Sequence, residues 1–155
     1  MLLLSSLALA GHQTETVVVT IDAAPAVVWA VLTDFEDYSA WNPWIIEASG
    51  EAVEGGTVAV TSVLNGREQQ VDHAVTLVSP TDRFCWKDTG WFTIFARGQR
   101  CRSLTPVDGG TRLTVELTLR GAMVGTVERR YGDAIRAGMR AEADALAARA
   151  EAGGG

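Results

Sequence analysis

Few residues of the chain are suited to metal binding or covalent catalysis. It has 155 residues but only two histidines, His12 and His73, and two cysteines, Cys85 and Cys101. One histidine in the interior of the domain supplies no two-histidine metal set, and the cysteines lack the close spacing of zinc ligands. A glycine-rich phosphate loop and a nucleophile elbow are also missing from the sequence. We therefore predict no metal, no cofactor and no covalent catalytic residue.

Positive charge is also scarce. Lysine and arginine together number 13 against 19 acidic residues, which gives a net charge of −6 and a pI near 4.8. Nucleic-acid binding needs a basic face that releases counterions from phosphates, so we expect no nucleic-acid partner. The same net charge disfavours anionic membranes.

No hydrophobic run is long enough to cross a bilayer. The apolar run from Leu2 to Ala10 resembles the core of a secretory signal, but no lysine or arginine precedes it. A cleaved signal, an upstream start codon and a frayed extension are the alternatives. We expect a cytoplasmic protein without stable membrane insertion and with reduced Cys85 and Cys101 thiols; secretion, or one disulfide, is the alternative.

The composition predicts one folded domain. Hydrophobic residues make up 47% of the chain and charged residues 21%, which is enough apolar surface for one core. We place the domain at residues 15–150, after an N-terminal extension at 1–14 and before a disordered tail at 151–155. A monomer or a weak dimer is expected.

Residues 17–44 are the most informative stretch. Val17, Val19 and Ile21 alternate with polar or exposed positions as in a strand, and Pro25 suits the first turn of a helix. We expect Val28, Leu32, Trp29 and Val31 to form the buried side of that helix. The Asn42-Pro43 step then prevents helix continuation, because the proline ring clashes with helical geometry before it.

The remainder predicts a meander of strands and then one long helix. Five strand-like segments are separated by turn residues: 57–64, 70–78, 83–87, 96–107 and 111–120. From Ala122 to Ala150 the apolar period becomes that of a helix whose stripe passes through Tyr131 and Glu142. Helix glycines such as Gly138 leave room either for a ligand or for close packing against the strands. The fold class is α+β.

The order of these features resembles the SRPBCC superfamily, also called START-like or polyketide cyclase/dehydrase. The resemblance rests on the opening signature from Pro25 to Pro43, Phe84 to Trp86, Gly109-Gly110-Thr111, Arg120-Gly121 and the long last helix. It implies a helix-grip fold, in which a curved antiparallel sheet of six or seven strands wraps a C-terminal helix around an apolar cavity, with two short helices after the first strand. Superfamily members include ligand carriers, cyclases and chaperone activators, so no single chemistry is implied.

Polar residues on the apolar strands are candidates for the site. His73 shares a strand face with Val71, Val75 and Leu77, which would direct its imidazole inward. One histidine without an acid or base partner is more often a satisfied core residue than a catalyst.

The orientation of Arg97, Arg100 and Arg102 depends on the turn through Asp108-Gly109-Gly110. A loop of two or four residues places Arg100 and Arg102 on the face of Val115 and Leu117, whereas three residues turn them outward toward solvent and Glu116. An inward guanidinium needs an anion, and a ligand carboxylate would serve.

Trp91, Phe92, Ile94 and Phe95 surround a glycine-containing turn. Four large apolar side chains there are costly to expose, so they close the cavity as a lid, complete the core, or meet a partner.

We therefore expect a protein that binds a hydrophobic or amphipathic small molecule, lipid-like or polyketide-like. The predicted ligand-binding residues are His73, Trp86, Phe92, Phe95, Arg100, Arg102, Val115, Leu117 and Tyr131. The alternatives are a cyclase, aromatase or dehydratase, which would use Tyr131, His73 and the arginines, and a chaperone-activator-like interaction module. Leu117 departs from the enzyme pattern, because related sequences often have a carboxylate at this position.

Overall fold

The computed structural model describes residues 11–154. Seven strands are present: β1 (Gly11–Ile21), β2 (Ile45–Gly50), β3 (Thr57–Leu64), β4 (Arg67–Ser79), β5 (Arg83–Asp88), β6 (Arg97–Val107) and β7 (Gly110–Gly121). Three α-helices accompany them, α1 (Pro25–Thr33), α2 (Tyr38–Trp41) and α3 (Val124–Gly153). Two short 3₁₀ turns span Phe35–Asp37 and Trp91–Ile94.

The strands form one antiparallel sheet in the order β1-β7-β6-β5-β4-β3-β2. Neighbours in sequence pair as hairpins from β2 to β7, and β1 joins the sheet beside β7. Helix α3 packs on the inner face, and α1 and α2 lie between β1 and β2 in sequence. This arrangement confirms the predicted α+β helix-grip fold, with two short helices after the first strand.

Helix α1 begins at Pro25, as its sequence predicts. Val28 and Leu32 are buried, whereas Trp29 and Val31 are half-buried and pack at the edge of the core. The chain leaves α2 at Asn42, whose Oδ1 accepts hydrogen bonds from the backbone N–H groups of Trp44 at 3.0 Å and Ile45 at 2.8 Å. These bonds direct the chain into β2, a strand that the sequence pattern did not reveal.

Gly138 allows α3 to approach the aromatic corner after α2. A Cβ atom on this glycine would overlap the indole ring of Trp44. Close packing therefore accounts for Gly138, and the ligand-room alternative does not apply to it. By contrast, a Cβ on Gly125 would meet only the flexible end of Arg129.

A bulge in β4 changes the expected side-chain pattern. The β4–β5 register shifts between Val75 and Leu77, so that Val75 is buried and Leu77 is exposed. The prediction that Leu77 shares the inner face with His73 is therefore wrong.

Regular elements extend slightly beyond the range 15–150 that we expect for the domain. Strand β1 begins at Gly11, and α3 continues to Gly153, so 11–14 and 151–153 belong to regular elements. The signal-like run at 2–10 and the last residue lie outside the described residues. Among residues 11–154, none of the helices is long and apolar enough to cross a membrane.

Cys85 and Cys101 form a disulfide, so the expectation of reduced thiols is wrong. Their separation along the chain concealed the pairing, but β5 and β6 place them directly opposite each other, with a Cα–Cα distance of 4.2 Å. Cross-strand neighbours at this spacing have their side chains on the same side of the sheet.

Candidate functional site

A cavity of about 240 Å³ lies between the inner face of the sheet and α3. Its wall is mainly apolar, with a small number of polar side chains. Six predicted site residues line it: His73, Trp86, Phe92, Arg100, Leu117 and Tyr131. The other lining residues include Trp44, Ile45, Val60, Ser62, Leu64, Gln69, Val71, Asp88, Leu119, Val127 and Ile135.

Three predicted site residues do not line the cavity. Phe95 is an exposed residue, and Val115 is buried in the core beneath α3. Arg102 is 1% exposed and lies behind the cavity wall. It reaches the site only through its contacts with the Trp86 ring and with Glu142.

The β6–β7 turn directs the arginines inward. Val107 pairs with Gly110, so the loop consists of Asp108 and Gly109, and Gly109 has a φ of 79° that suits glycine. With this two-residue loop, Arg100 lies opposite Leu117 and Arg102 opposite Val115. The structure therefore adopts the inward alternative, and Arg97 lies outside on the same strand.

Glu142 of α3 supplies the anion that the inward arginines require. Arg102 Nη2 donates to Glu142 Oε1 at 2.6 Å, and Arg100 Nη1 donates to Oε2 of the same carboxylate at 3.3 Å. Glu142 is 4% exposed. The helical stripe predicted an inward position for this residue, but its two arginine partners could not be predicted from the local pattern.

The interior pair of arginines carries more charge than Glu142 neutralises. Both guanidiniums stack on indole rings, Arg100 at 4.2 Å from the centroid of Trp44 and Arg102 at 4.3 Å from that of Trp86. Burial lowers the pKa of Arg100 to about 10, and Glu142 opposes this shift. Arg100 therefore remains charged at neutral pH. The two arginines carry one more positive charge than Glu142 balances, and the Asp88 carboxylate on the same cavity wall places a further negative charge near Arg100.

His73 and Asp88 form a second polar pair at the wall. His73 Nε2 lies 3.1 Å from Asp88 Oδ1, and His73 Nδ1 lies 3.1 Å from the carbonyl oxygen of Val71. Asp88 Oδ2 accepts the Gly98 N–H at 2.8 Å, and a Cβ on Gly98 would collide with that carboxylate.

Both ring nitrogens of His73 face protein oxygens, so neither is directed at a ligand. A neutral imidazole can donate to only one of these two oxygens, but both ring nitrogens are occupied within the fold, which agrees with the structural interpretation of the sequence position. Asp88 was not predicted from the sequence. Its carboxylate lines the cavity and is an acidic partner for His73, although Leu117 occupies the position where related sequences often have a carboxylate.

Tyr38 is fully buried in the core near Arg100 and Arg102. Its hydroxyl donates to the Leu32 carbonyl at 2.6 Å, and burial raises the pKa of Tyr38 well above its ordinary value. The phenol therefore stays protonated and structural. Residues 11–154 contain no cluster of three or more His, Cys, Asp or Glu side chains that could hold a metal ion.

The large apolar side chains of residues 91–95 fall into two groups. Phe92 is half-buried and lines the cavity, whereas Trp91, Ile94 and Phe95 face outward. Leu64, Phe92 and Tyr131 line the cavity and are partly exposed, and their chain neighbours Asn65, Trp91 and Arg130 are exposed, which places the opening on this side. Of the four apolar side chains predicted to close the cavity, Phe92 is the one that lines it.

Comparisons with known proteins agree with this architecture. The sequence model of the family described as "Polyketide cyclase / dehydrase and lipid transport" matches residues 12–151. Ara h 8.0201 superposes with a TM-score of 0.73 at 16% identity, covering 92% of this chain and 99% of that protein. A Thalictrum norcoclaurine synthase gives 0.68 at 13% identity, with coverages of 91% and 95%.

A two-domain ARO/CYC protein, BexL, also superposes on the chain. Its TM-score is 0.68 at 16% identity, and the match covers 98% of this chain and 52% of BexL. At such identities these structures show a shared fold alone. No curated protein matches the sequence.

Proposed function

We propose that this chain, which belongs to the polyketide cyclase/dehydrase and lipid transport family, binds a hydrophobic or amphipathic small molecule between its sheet and α3. The observation that carries the proposal is the mainly apolar cavity of about 240 Å³ with the charged Arg100 guanidinium on its wall. Ligand sites typically combine an apolar wall with a few polar groups that orient the ligand. The volume is slightly below the usual range of about 300 to 1,000 Å³ for drug-sized ligands.

The charge distribution indicates how an amphipathic ligand would lie. The Arg100 side chain is 11% exposed and bonded to Glu142, whereas Leu64 and Phe92 line the cavity next to the exposed residues Asn65 and Trp91. A negatively charged or strongly polar head would therefore lie against Arg100, and the apolar part would extend toward the opening. Glu142 limits the attraction, because it already shares the two guanidiniums.

Cavity filling tests the binding proposal. Leu64 lines the cavity, whereas its neighbour Val63 does not and is equally half-buried. Leu64→Trp should weaken binding of the neutral fluorophore N-phenyl-1-naphthylamine about tenfold or more, because the indole takes up ligand space. Val63→Trp is the matched control and should retain parental affinity. Equal fluorophore affinities of Leu64→Trp and Val63→Trp would show that the cavity is not the binding site.

Native mass spectrometry of the purified chain identifies the natural ligand class. We expect a co-purified lipid-like or polyketide-like adduct that is reduced by Leu64→Trp and retained by Val63→Trp.

A second candidate is a cyclase or dehydratase-type enzyme, and Asp88 is the observation that favours it. Its carboxylate lines the same cavity as Arg100 and is held by His73, so it could accept a proton from a bound substrate. The structural similarity to an ARO/CYC protein is consistent with that class. A poly-β-ketone substrate should then be converted to a cyclised product at a rate that Asp88→Asn lowers at least a hundredfold. Binding of the poly-β-ketone without conversion would contradict the enzyme and leave ligand binding as the function.

A further inference from the structure

An exposed apolar patch lies beside the cavity opening. It consists of Trp91, Ile94, Phe95 and Met123, of which Trp91 is 77% and Ile94 74% exposed. The rings of Trp91 and Phe95 meet edge to face at 6.2 Å, and the Met123 N–H donates to the Phe95 carbonyl at 3.0 Å. The patch is therefore continuous across the Trp91–Ile94 turn and the β7–α3 connection.

Four exposed arginines flank this patch. Arg97 follows Phe95 by two residues, and Arg120 precedes Met123 by three. Arg129 and Arg130 follow Met123 within the first two turns of α3. Within residues 11–154, none of the four arginines forms an ion pair. The acidic Glu128 and Asp133 on this part of α3 are bound by Arg136.

The pairing of Arg97 with Arg120 favours an external anion. The two residues lie directly opposite each other in the β6–β7 ladder. Like charges at such positions repel each other, and among residues 11–154 no carboxylate forms an ion pair with either arginine. An apolar tip that includes a tryptophan and is bordered by arginines matches the boundary between the headgroups and the acyl chains of an anionic membrane.

We propose that this patch docks the protein on the surface of an anionic lipid bilayer, with Trp91 and Ile94 inserted among the acyl chains and the four arginines on the headgroups. The net charge of −6 disfavours anionic membranes only when the chain is treated as a whole. Screening limits surface electrostatics to about 10 Å, so the local arginines decide the interaction. Docking in this orientation turns the cavity opening toward the bilayer. The proposal does not depend on ligand binding.

Vesicle flotation of the full chain tests the proposal. We expect binding to phosphatidylcholine vesicles that contain roughly one third phosphatidylglycerol, and much weaker binding to phosphatidylcholine alone. Arg97→Gln/Arg120→Gln should weaken the anionic interaction about 25-fold, since each arginine contributes about fivefold. Arg112→Gln/Arg140→Gln changes the net charge equally, away from the patch, and should bind like the parent.

A second double substitution tests how much the apolar side chains contribute to vesicle binding. Trp91→Ser/Ile94→Ser should reduce vesicle binding about tenfold or more, whereas the exposed control pair Val18→Ser/Val53→Ser should not. All variants keep residues 1–10, so a loss of binding cannot come from that apolar run. The parent's tryptophan emission should shift to the blue on vesicles, and Trp91→Phe should abolish the shift while retaining binding.

Two results would overturn the proposal. One is no binding of the parent to anionic vesicles at low salt. The other is equal binding by the parent and Trp91→Ser/Ile94→Ser, which would place the membrane contact elsewhere. Unchanged fluorophore affinity in these variants separates docking from the cavity function.

Discussion

Arg102 on β6 and Glu142 on α3 are joined by a 2.6 Å hydrogen bond inside the protein, across 40 positions of sequence. The contact ties the helix to the sheet beneath the cavity, and Arg100 shares the same carboxylate at 3.3 Å. Two buried guanidiniums therefore depend on one counter-charge. We therefore expect replacement of Glu142 and replacement of Arg100 to have different effects on the free energy of unfolding.

Glu142→Gln should lower the free energy of unfolding by about 3 to 5 kcal/mol, because both arginines would lose their buried counter-charge. Arg100→Met should instead be neutral or raise it by about 1 kcal/mol, because Arg102 and Glu142 would remain as an equal pair. Urea unfolding at neutral pH measures both. The outward-facing Glu116→Gln is the control and should change little. A similar small loss for Glu142→Gln and Glu116→Gln would contradict the account.

Arg100 should give the cavity a preference for anionic ligands. Decanoic acid should displace N-phenyl-1-naphthylamine about tenfold better than methyl decanoate, because a charge-assisted hydrogen bond is stronger than a neutral one. Arg100→Met should erase the difference, whereas Arg112→Met on the outer face should preserve it. Equal affinities for acid and ester in the parent protein would rule out the anion preference.

The pH dependence of that preference follows from the same residue. Burial lowers the pKa of Arg100 to about 10, so the guanidinium stays protonated at neutral pH. Since deprotonation removes its charge, the acid preference should be constant from about pH 7 to pH 9 and should fall as the pH rises through about 10. A preference that disappears below pH 9 would assign it to another group.

Phe92 and Phe95 should differ in their effect on ligand release. Phe92 lines the cavity near its opening, whereas Phe95 faces outward. Phe92→Ser should therefore speed the dissociation of bound N-phenyl-1-naphthylamine in stopped-flow measurements, because a side chain that closes the opening is lost. Phe95→Ser is the matched control with parental release. Equal release from both variants would show that Phe92 does not close the cavity.

Local sequence patterns predicted most of the fold but only part of the site. The alternation from Leu113 to Leu119 and the stripe through Tyr131 and Glu142 identified β7 and α3, because both depend on neighbouring residues. The orientation of Arg100 remained open, since it depends on whether the β6–β7 loop has two or three residues. A one-residue change reverses every side chain of a strand.

Contacts between elements that are far apart along the chain could not be predicted from local sequence patterns. Asp88 meets His73 because the β4–β5 pairing places them opposite each other, and Glu142 meets Arg102 because α3 packs against the sheet. The disulfide depends in the same way on the β5–β6 register. Each of these pairings is set by packing over the whole domain, which leaves no spacing signal along the chain.

The disulfide should contribute measurably to stability. Cys85 and Cys101 close a loop with a sequence separation of 16, so Cys85→Ala/Cys101→Ala should lower the free energy of unfolding by about 2 to 3 kcal/mol. Thermal melts of the parent with and without reductant should show a similar loss, and the double variant should not respond to reductant. Thiol titration of unreduced, unfolded protein provides the direct check. Two free thiols per chain would contradict the bond.

Gly138 and Gly125 provide a paired test of helix packing. Gly138→Ala should destabilise the protein by about 1 to 3 kcal/mol, because the new methyl group would overlap the Trp44 indole and displace it from Arg100. Gly125→Ala places its methyl group near only the mobile end of Arg129, so it should be neutral or stabilising by up to about 1 kcal/mol through helix propensity.

Urea unfolding of the two variants and fluorophore affinity distinguish packing from ligand space. If Gly138 serves packing, its replacement should lower stability, and the displaced Trp44 should also weaken fluorophore binding, since the indole is part of the cavity wall. A stable Gly138→Ala variant with lower affinity would instead mean that the glycine leaves room for the ligand. Equal stabilisation by both substitutions would contradict the close contact between α3 and Trp44.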